Sequence, residues 1–360
     1  MREIVEKDKC TGCMLCTNVC KKDSIQIVEE NGYFYPYINT EKCVDCGICK
    51  SVCPQTKEAR FNTTKHVFMG WTKNSEIRES SSSGGIFSML AAQIISEGGV
   101  VVGAAYEDGC SRIKHIIIDD INDIGKLRLS KYVQSNTCDI WKKIKTIVAS
   151  GQKLLFSGTP CQIDALYSLI DSSKENVFAI DLICRGVPSP VIWKEYTENL
   201  EQNWKSKIKE VNYRYKGKYK WTDRKVRIGF EDGQEYISTR ADDPFAKLFF
   251  QNIVMRKTCF ECKYSQPKRL GDITLGDFWA IKDDEKYDKD RGVSMILENT
   301  EKGNTLLNKI SEKIEMKNMD HIDISLNNAG LGIKIKENPS AEQFWKDYKQ
   351  YGFECVKKYI

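Results

Sequence analysis

The sequence predicts a mixed α/β chain, α+β overall, in which a small cysteine-rich domain precedes a larger α/β body with a partly parallel sheet. Three features predict it. Two four-cysteine runs lie within residues 10–53, a strand–helix–strand unit occupies residues 153–183, and strand and helix patterns follow one another from residue 67 onward. A chain of 360 residues exceeds the size at which one core usually stops growing, so more than one domain is expected.

Composition narrows the classes of function. The 55 basic and 50 acidic residues nearly cancel and neither sign gathers into a block, so no nucleic acid partner is expected. No apolar run approaches the roughly 18 residues that a bilayer-spanning helix needs, and the charged residues 1–9 are unlike a signal peptide. The expectation is a cytoplasmic protein with no membrane span. Fifteen cysteines in that setting point to metal ligation, because cytosolic thiol buffers keep cysteine pairs reduced. The three histidines, His66, His115 and His321, share no helical spacing, which gives a histidine-based zinc enzyme or a Ser-His triad little support. Each is expected to be structural or solvated.

The first element is the cysteine repeat. Cys10-x2-Cys13-x2-Cys16-x3-Cys20 recurs as Cys43-x2-Cys46-x2-Cys49-x3-Cys53-Pro54. In this bacterial-type ferredoxin spacing three thiolates of a run wrap one 4Fe-4S cubane and the fourth ligates the partner cluster. One cluster therefore takes Cys10, Cys13, Cys16 and Cys53, and the other Cys43, Cys46, Cys49 and Cys20. Structural zinc sites instead favour Cys-x2-Cys pairs separated by longer gaps. Gly12 and Gly47 stand at nearly matching places in the loops, where a missing Cβ lets backbone amides approach cluster sulfurs. Ile25, Ile27 and the aromatic run at Tyr33, Phe34 and Tyr35 around Asn31-Gly32 read as a hairpin over the clusters. Lys21 stands where the second run has Pro54, so the two exit turns differ. This gives a two-4Fe-4S ferredoxin-like domain over residues 1–58 and a polar linker over residues 59–65.

The body opens with the apolar residues 67–71. The run from Ser80 to Ser83 and Gly84-Gly85 then leads into an amphipathic helix with Ile86, Phe87, Met89, Leu90, Ile94 and Ile95, ended by Gly98-Gly99 and followed by a strand over residues 100–105. A Gly-Gly at a helix start leaves amides and the helix dipole open to an anion such as a dinucleotide phosphate. A serine N-cap without a ligand fits the same residues.

Residues 153–157 read as a buried strand, and Thr159-Pro160-Cys161-Gln162 as a helix start with Thr at N-cap, Pro at N1 and Gln at N3. In the first turn, Cys161 is expected to have a lowered thiol pKa. The helix leads to a second strand over residues 177–183, followed by Cys184. Strands joined by a crossover helix run parallel, so both cysteines fall at the carboxyl edge, where open α/β sheets bind ligands. Cys259-x2-Cys262 supplies two more thiols in a basic setting. Spacing leaves a third 4Fe-4S cluster and a four-thiolate zinc site both open. Cys110, Cys138 and Cys355 are expected to pack as small hydrophobes. Residues 213–221 interleave bases with aromatics and read as a hairpin at the rim of the site; a solvated edge strand protected by its lysines is favoured over an anion grip.

Ser83-Gly84-Gly85, Ser130-Lys131-Tyr132-Val133-Gln134-Ser135, Phe156-Ser157-Gly158-Thr159-Pro160-Cys161-Gln162, Cys259-x2-Cys262 and Asp272-Ile273-Thr274-Leu275-Gly276-Asp277-Phe278-Trp279 together resemble the β-subunit family of coenzyme F420 hydrogenase/dehydrogenase, over about residues 66–300. The resemblance implies an α/β flavin and iron-sulfur binding body: a flavin-binding part over residues 66–145, then a part over residues 146–360 with a third cluster and the substrate crevice. It implies FAD held by Ser83, Gly84, Gly85, Ser130, Lys131, Tyr132, Gln134 and Ser135, with Gly158 and Thr159 nearby, and a third 4Fe-4S cluster on Cys161, Cys184, Cys259 and Cys262. A flavin beside ferredoxin clusters needs a relay and zinc carries no electrons, so the likeness tips the third site toward iron-sulfur. The fused ferredoxin-like domain departs from the hydrogenase subunits and resembles stand-alone reductases and relatives encoded with bacterial surface-polysaccharide enzymes. Coenzyme F420, nicotinamide and ferredoxin all stay open as redox partner.

The expected activity is that of an oxidoreductase taking electrons from a ferredoxin-like or other redox donor protein, or a deazaflavin, through the clusters to FAD and on to a small-molecule acceptor. No catalytic side chain is singled out; Asp277 and Trp279 are expected at the crevice. Two rival expectations are a non-catalytic electron-transfer subunit of a larger hydrogenase/dehydrogenase complex and a binding module whose clusters hold the fold.

Overall fold

The computed structural model describes residues 3–107, 109–279, 289–328 and 330–360. At the N-terminus β1 (Ile25–Glu30) and β2 (Tyr33–Ile38) pair antiparallel, with Glu30 opposite Tyr33. Asn31 and Gly32 between them have φ of 50° and 78°, the two positive values that a tight two-residue hairpin turn requires. Two short helices, Leu15–Val19 and Ile48–Ser51, carry Cys16 and Cys49 and are each entered from a left-handed residue, Met14 and Gly47. The matching loop glycines are needed for different reasons. A Cβ on Gly12 would lie 2.1 Å from Gln134 Nε2 of the body, whereas Gly47 has open space around it and only its φ of 74° calls for glycine.

The remaining strands are β3 (His66–Thr72), β4 (Val100–Glu107), β5 (Arg112–Ile118), β6 (Leu154–Gly158), β7 (Val177–Leu182), β8 (Ile208–Tyr215), β9 (Lys225–Phe230), β10 (Glu235–Thr239), β11 (Ile273–Asp277), β12 (Ser294–Glu298) and β13 (Ile314–Asn318). Eight form one sheet in the order β13-β3-β12-β11-β7-β6-β4-β5. Its centre, β11-β7-β6-β4, is parallel, and the flanking pairs are antiparallel. The partly parallel sheet expected from the sequence is therefore present.

Side chains two apart along a strand share a face. Leu155 and Ile180 join the core beneath the helices Ile86–Ser96 and Glu301–Ile310. Leu154, Phe156, Val177 and Ala179 join the opposite core, under Trp141–Ala149 and Pro160–Leu169. Burial on both faces explains why β6 and β7 read as continuous apolar runs.

A smaller antiparallel sheet, β10-β9-β8, packs with the helices Pro190–Trp204 and Pro244–Phe250 around Trp193, Tyr213 and Phe245. Here the solvated-edge reading of residues 213–221 holds for exposed Lys218 and Lys220 of the segment after the edge strand β8 and is corrected for Arg214, Lys216 and Trp221. Arg214 and Lys216 are each only 2% exposed. Lys216 Nζ donates to the carbonyls of Ser83, Arg78 and Arg291, and Trp221 Nε1 donates to Ser82 O at 2.9 Å. Backbone carbonyls replace water, so these residues clamp the serine loop from behind.

The cysteine-rich domain is docked on the body by side chains reaching its cluster loops. Thr137 Oγ1 and Trp141 Nε1 donate to Cys13 O at 2.7 and 2.9 Å, and Gln134 Nε2 donates to the carbonyls of Thr11 and Gly12. Ser189 Oγ donates to Gly32 O and Lys263 Nζ to Pro54 O, both at 2.6 Å. The stretch expected as a linker, residues 59–65, is paired to the body at Asn62, which exchanges backbone hydrogen bonds with Arg269. Among the described residues no helix is long and apolar enough to cross a membrane.

Candidate functional site

The two cysteine runs interlock as their spacing requires. Cys10, Cys13, Cys16 and Cys53 line one cavity of about 30 Å³, closed by apolar neighbours that include Ile4, Val5, Ile27 and Phe34. Burial, with the nearby thiols of Cys10 and Cys53, pushes Cys13 up to about 12. The other set gathers beside it: Cys49 is raised by burial and by Cys20 and Cys43, and Cys46 is exposed. Cys53 thus stands with the first three thiols of the first run, and Cys20 with Cys43 and Cys49 of the second.

The sheet builds the third set. Thr159 opens the helix Pro160–Leu169 with a capping box closed by Gln162, which fixes Cys161 in the first turn beyond the end of β6. Cys184 follows the adjacent parallel strand β7, and Cys259 and Cys262 come from the turn after Arg256. All four line a cavity of about 40 Å³.

The expectation of a lowered Cys161 pKa is corrected: burial pushes this thiol up, with Cys184 and Cys262 adding to it, and the 3.1 Å contact with Thr159 Oγ1 does not offset them. Cys184 and Cys259 are each pushed up to about 12, again chiefly by burial. Such thiols ionise when a bound cation replaces their protons.

Beside this set lies a cavity of about 480 Å³, within the usual range of small-molecule sites. Ser83, Gly85, Ser130, Lys131, Tyr132, Gln134, Ser135, Gly158 and Thr159 line it, drawn from both parts of the body. Gly84 stands behind this wall: its amide donates to Ser294 Oγ at 2.9 Å, and a Cβ there would lie 2.3 Å from Gly70 O. Its role is close packing. The serine loop is pinned by Ser82 Oγ, which accepts from Ser130 N at 2.7 Å, and by Ser83 Oγ, which donates to Val293 O. Gly85 takes φ of 82° as the N-cap of Ile86–Ser96, and Ile86 and Phe87 complete the wall at the helix start, where Ser88 N donates to Gly85 O at 3.2 Å and the first two amides have no intrahelical acceptor.

The sequence reading missed the charge of this cavity. Arg128, Lys131, Arg185, Arg224 and Arg240 line it, against Asp277 as the acid in its wall, and Asp277 pairs with Arg214 at 3.0 Å. Burial pushes Lys131 down to about 7 and, together with Arg224, Arg214 and Arg185, pushes Arg240 down to about 10. Arg185 Nε and Arg224 Nε are buried donors without a protein acceptor. Trp279 stacks on Trp221 at 4.4 Å, with Arg214 and Arg224 against its ring. These arginines come from segments far apart in the chain, so no local pattern marks them.

His115 was also missed as a wall residue, whereas His66 is exposed and paired with Asp320. The His115 imidazole stacks on Phe156, its Nε2 lies 3.2 Å from Ser157 O, and Nδ1 has no partner. Burial holds it down to about 4, below the ordinary 6.5. Between those values the unfolded chain binds the extra proton, so stability falls as pH drops from 6.5 toward 4, by about 3 kcal/mol in full. The apparent unfolding midpoint is expected to fall more steeply over pH 7 to 5 in the parent than in His115→Gln; equal slopes would show that His115 does not carry the effect. Of the three remaining cysteines, Cys110 and Cys355 are buried as expected and Cys138 is half-buried, with Sγ 3.2 Å from Met14 Sδ.

A fold with a cysteine-rich cluster domain on an α/β body, and thiol sets beside a cationic cavity, defines an iron-sulfur electron-transfer protein. Sequence comparison specifies the class. The 4Fe-4S dicluster domain matches residues 9–57, and coenzyme F420 hydrogenase/dehydrogenase, beta subunit N-term and C terminus, match residues 67–142 and 151–322. The chain belongs to the coenzyme F420 hydrogenase/dehydrogenase beta subunit family of oxidoreductase components, with an N-terminal 4Fe-4S dicluster domain. Its fold is similar to that of a chain in the F420-reducing [NiFe] hydrogenase complex from Methanosarcina barkeri, at 17% identity and a TM-score of 0.50, covering 84% of this chain and 94% of that one. No curated protein matches the sequence.

Proposed function

We propose that the chain is an iron-sulfur flavoprotein oxidoreductase that takes electrons from a ferredoxin-type or deazaflavin donor through three 4Fe-4S clusters to FAD and on to a small organic acceptor. The observation that carries this reading is a shared wall. Cys161 and Cys184 line both the third thiol cavity and the 480 Å³ cavity, and Thr11 lines both of these and the first cluster cavity. Redox groups in the three cavities would be separated by single layers of protein.

The donor sets fit the groups. A tetrahedral zinc draws four sulfurs onto one point with bonds of about 2.3 Å. Here the four thiols surround a cavity of about 40 Å³. The larger cavity offers unpaired arginine donors and a helix start, which suit the diphosphate of FAD and an anionic acceptor such as coenzyme F420. Ser82, Ser83 and Ser130 would orient the flavin by holding the loop, and Phe249, Phe250 and Trp279 would exclude water from its ring. A bound flavin supplies the step between one-electron and two-electron transfer.

An electron-transfer subunit within a larger complex is a second reading, favoured by the segment around exposed Cys46, where Val44 and Ile48 stand 61% and 38% exposed. Anaerobic mixing with a reduced ferredoxin-type protein, followed by flavin absorbance, tests the main proposal. Bleaching of bound flavin followed by reoxidation with a small acceptor is expected. Bleaching that reverses only when a partner protein is added supports the subunit reading, and the absence of bound flavin rejects the main proposal.

A further inference from the structure

Arg256 is fully buried, at 0% exposure. Its guanidinium donates from Nε to Cys10 O at 2.7 Å, from Nη1 to Gln134 Oε1 at 2.9 Å and from Nη2 to Phe34 O at 3.1 Å, and it lies 4.3 Å from the centre of the Tyr35 ring. Every one of these acceptors is neutral. Among the described residues no carboxylate pairs with it, in contrast to Arg269, which is equally buried but paired with Asp181 at 2.9 Å. Arginine stays charged throughout the physiological range, and an uncompensated buried charge is strongly unfavourable. The counter-charge must come from something other than a carboxylate.

The position of Arg256 says what that is. It grips the carbonyl of Cys10, the first thiol of the first set, and sits three residues before Cys259 of the third set, whose backbone amide donates to Arg256 O at 2.9 Å. Through Gln134 it reaches the wall of the large cavity. We infer that Arg256 is a positioning residue whose unneutralised charge is balanced by the anionic first and third clusters and raises the reduction potential of both. This rests on the ligand sets proposed above. Each reduction adds one electron and hence one negative charge to a cluster, and a fixed cation in a low-dielectric interior stabilises that charge. Burial alone would disfavour it, so Arg256 makes the two inner clusters a sink for electrons entering at the exposed Cys46 cluster.

The test is redox titration of the cluster signals by electron paramagnetic resonance in the parent, Arg256→Gln and Arg256→Lys, with iron counted in each. In Arg256→Gln the inner clusters are expected to move to lower potential by about tenfold or more in the redox equilibrium, about 59 mV for a one-electron couple, with the outer cluster moving less. Arg256→Lys keeps the charge without the three-way fork and is expected to stay near the parent. Unmoved inner potentials in a fully loaded Arg256→Gln would overturn the inference, as would an Arg256→Lys shift as large as that of Gln. If Arg256→Gln loses its clusters, Arg256→Lys decides alone: parent-like potentials support the charge role and a downward shift rejects it. A parent lacking the third cluster's iron would sink the ligand assignment, a failure visible before any variant is compared.

Discussion

Cys161→Ala is expected to lower the iron content from about twelve to about eight per chain, on four irons per cluster, while leaving the two N-terminal clusters in place. Cys161 belongs to the set held by the sheet edge, and the two N-terminal sets are completed without it. Donor-driven bleaching of bound flavin should be lost with those irons if the third set relays electrons. The shared wall makes the outcome informative in another direction. Thr11, Gly12 and Cys13 also line the large cavity, so flavin reduction that survives in the eight-iron variant would mean electrons enter directly from the first cluster. An unchanged iron content would remove Cys161 from the ligands. Iron analysis and anaerobic stopped-flow absorbance on one preparation give both answers.

The second large effect is on stability. Arg269 and Asp181 are 1% and 0% exposed and 2.9 Å apart, linking the end of β7 to the segment before β11 beside the third thiol set. Burial pushes the Asp181 carboxyl up, and the Arg269 guanidinium and a hydrogen bond from Thr274 Oγ1 work against it. Removing one partner of a buried pair strands the other, at a cost of about 3–5 kcal/mol. Arg269→Met should therefore lower the apparent unfolding midpoint strongly. The double variant Asp181→Asn/Arg269→Met, which strands no charge, should recover much of the loss. Equal destabilisation of the single and double variants would show that the guanidinium acts by packing and by its bonds to the carbonyls of Tyr264 and Leu182 rather than by charge.

What the sequence made legible follows from how local each constraint is. A cubane forces three thiolates into a few residues, so the N-terminal sets and their exchange of Cys20 and Cys53 could be read from spacing. The third set needed topology: Cys161 and Cys184 are brought together by the parallel pairing of β6 with β7, which the apolar runs and the Thr159 cap announced. Cys259 and Cys262 were recognisable as a pair, but nothing local says that the turn after Arg256 folds under the sheet edge.

The arginines were the least legible. Long side chains reach a site from unrelated segments, and Arg185, Arg224 and Arg240 look like ordinary surface charges until the cavity is formed. The basic strip at residues 213–221 misled for a related reason: alternation of bases and aromatics is common on a wet edge, and only the serine loop lying across Lys216 and Trp221 turns it into a buried clamp. Gly84 and Gly85 looked equivalent in sequence, yet one packs against Gly70 and the other opens the helix at the cavity wall.

The central claim is that three cluster sites and one flavin site lie against one another in this chain. Anaerobic purification followed by iron, sulfide, zinc and released-flavin analysis on the same sample tests it most directly. The account predicts about twelve irons, matching sulfide and one FAD per chain, from four irons per cluster. About eight irons, one zinc and no flavin would contradict it, leaving a two-cluster electron carrier fused to a zinc-stabilised binding body.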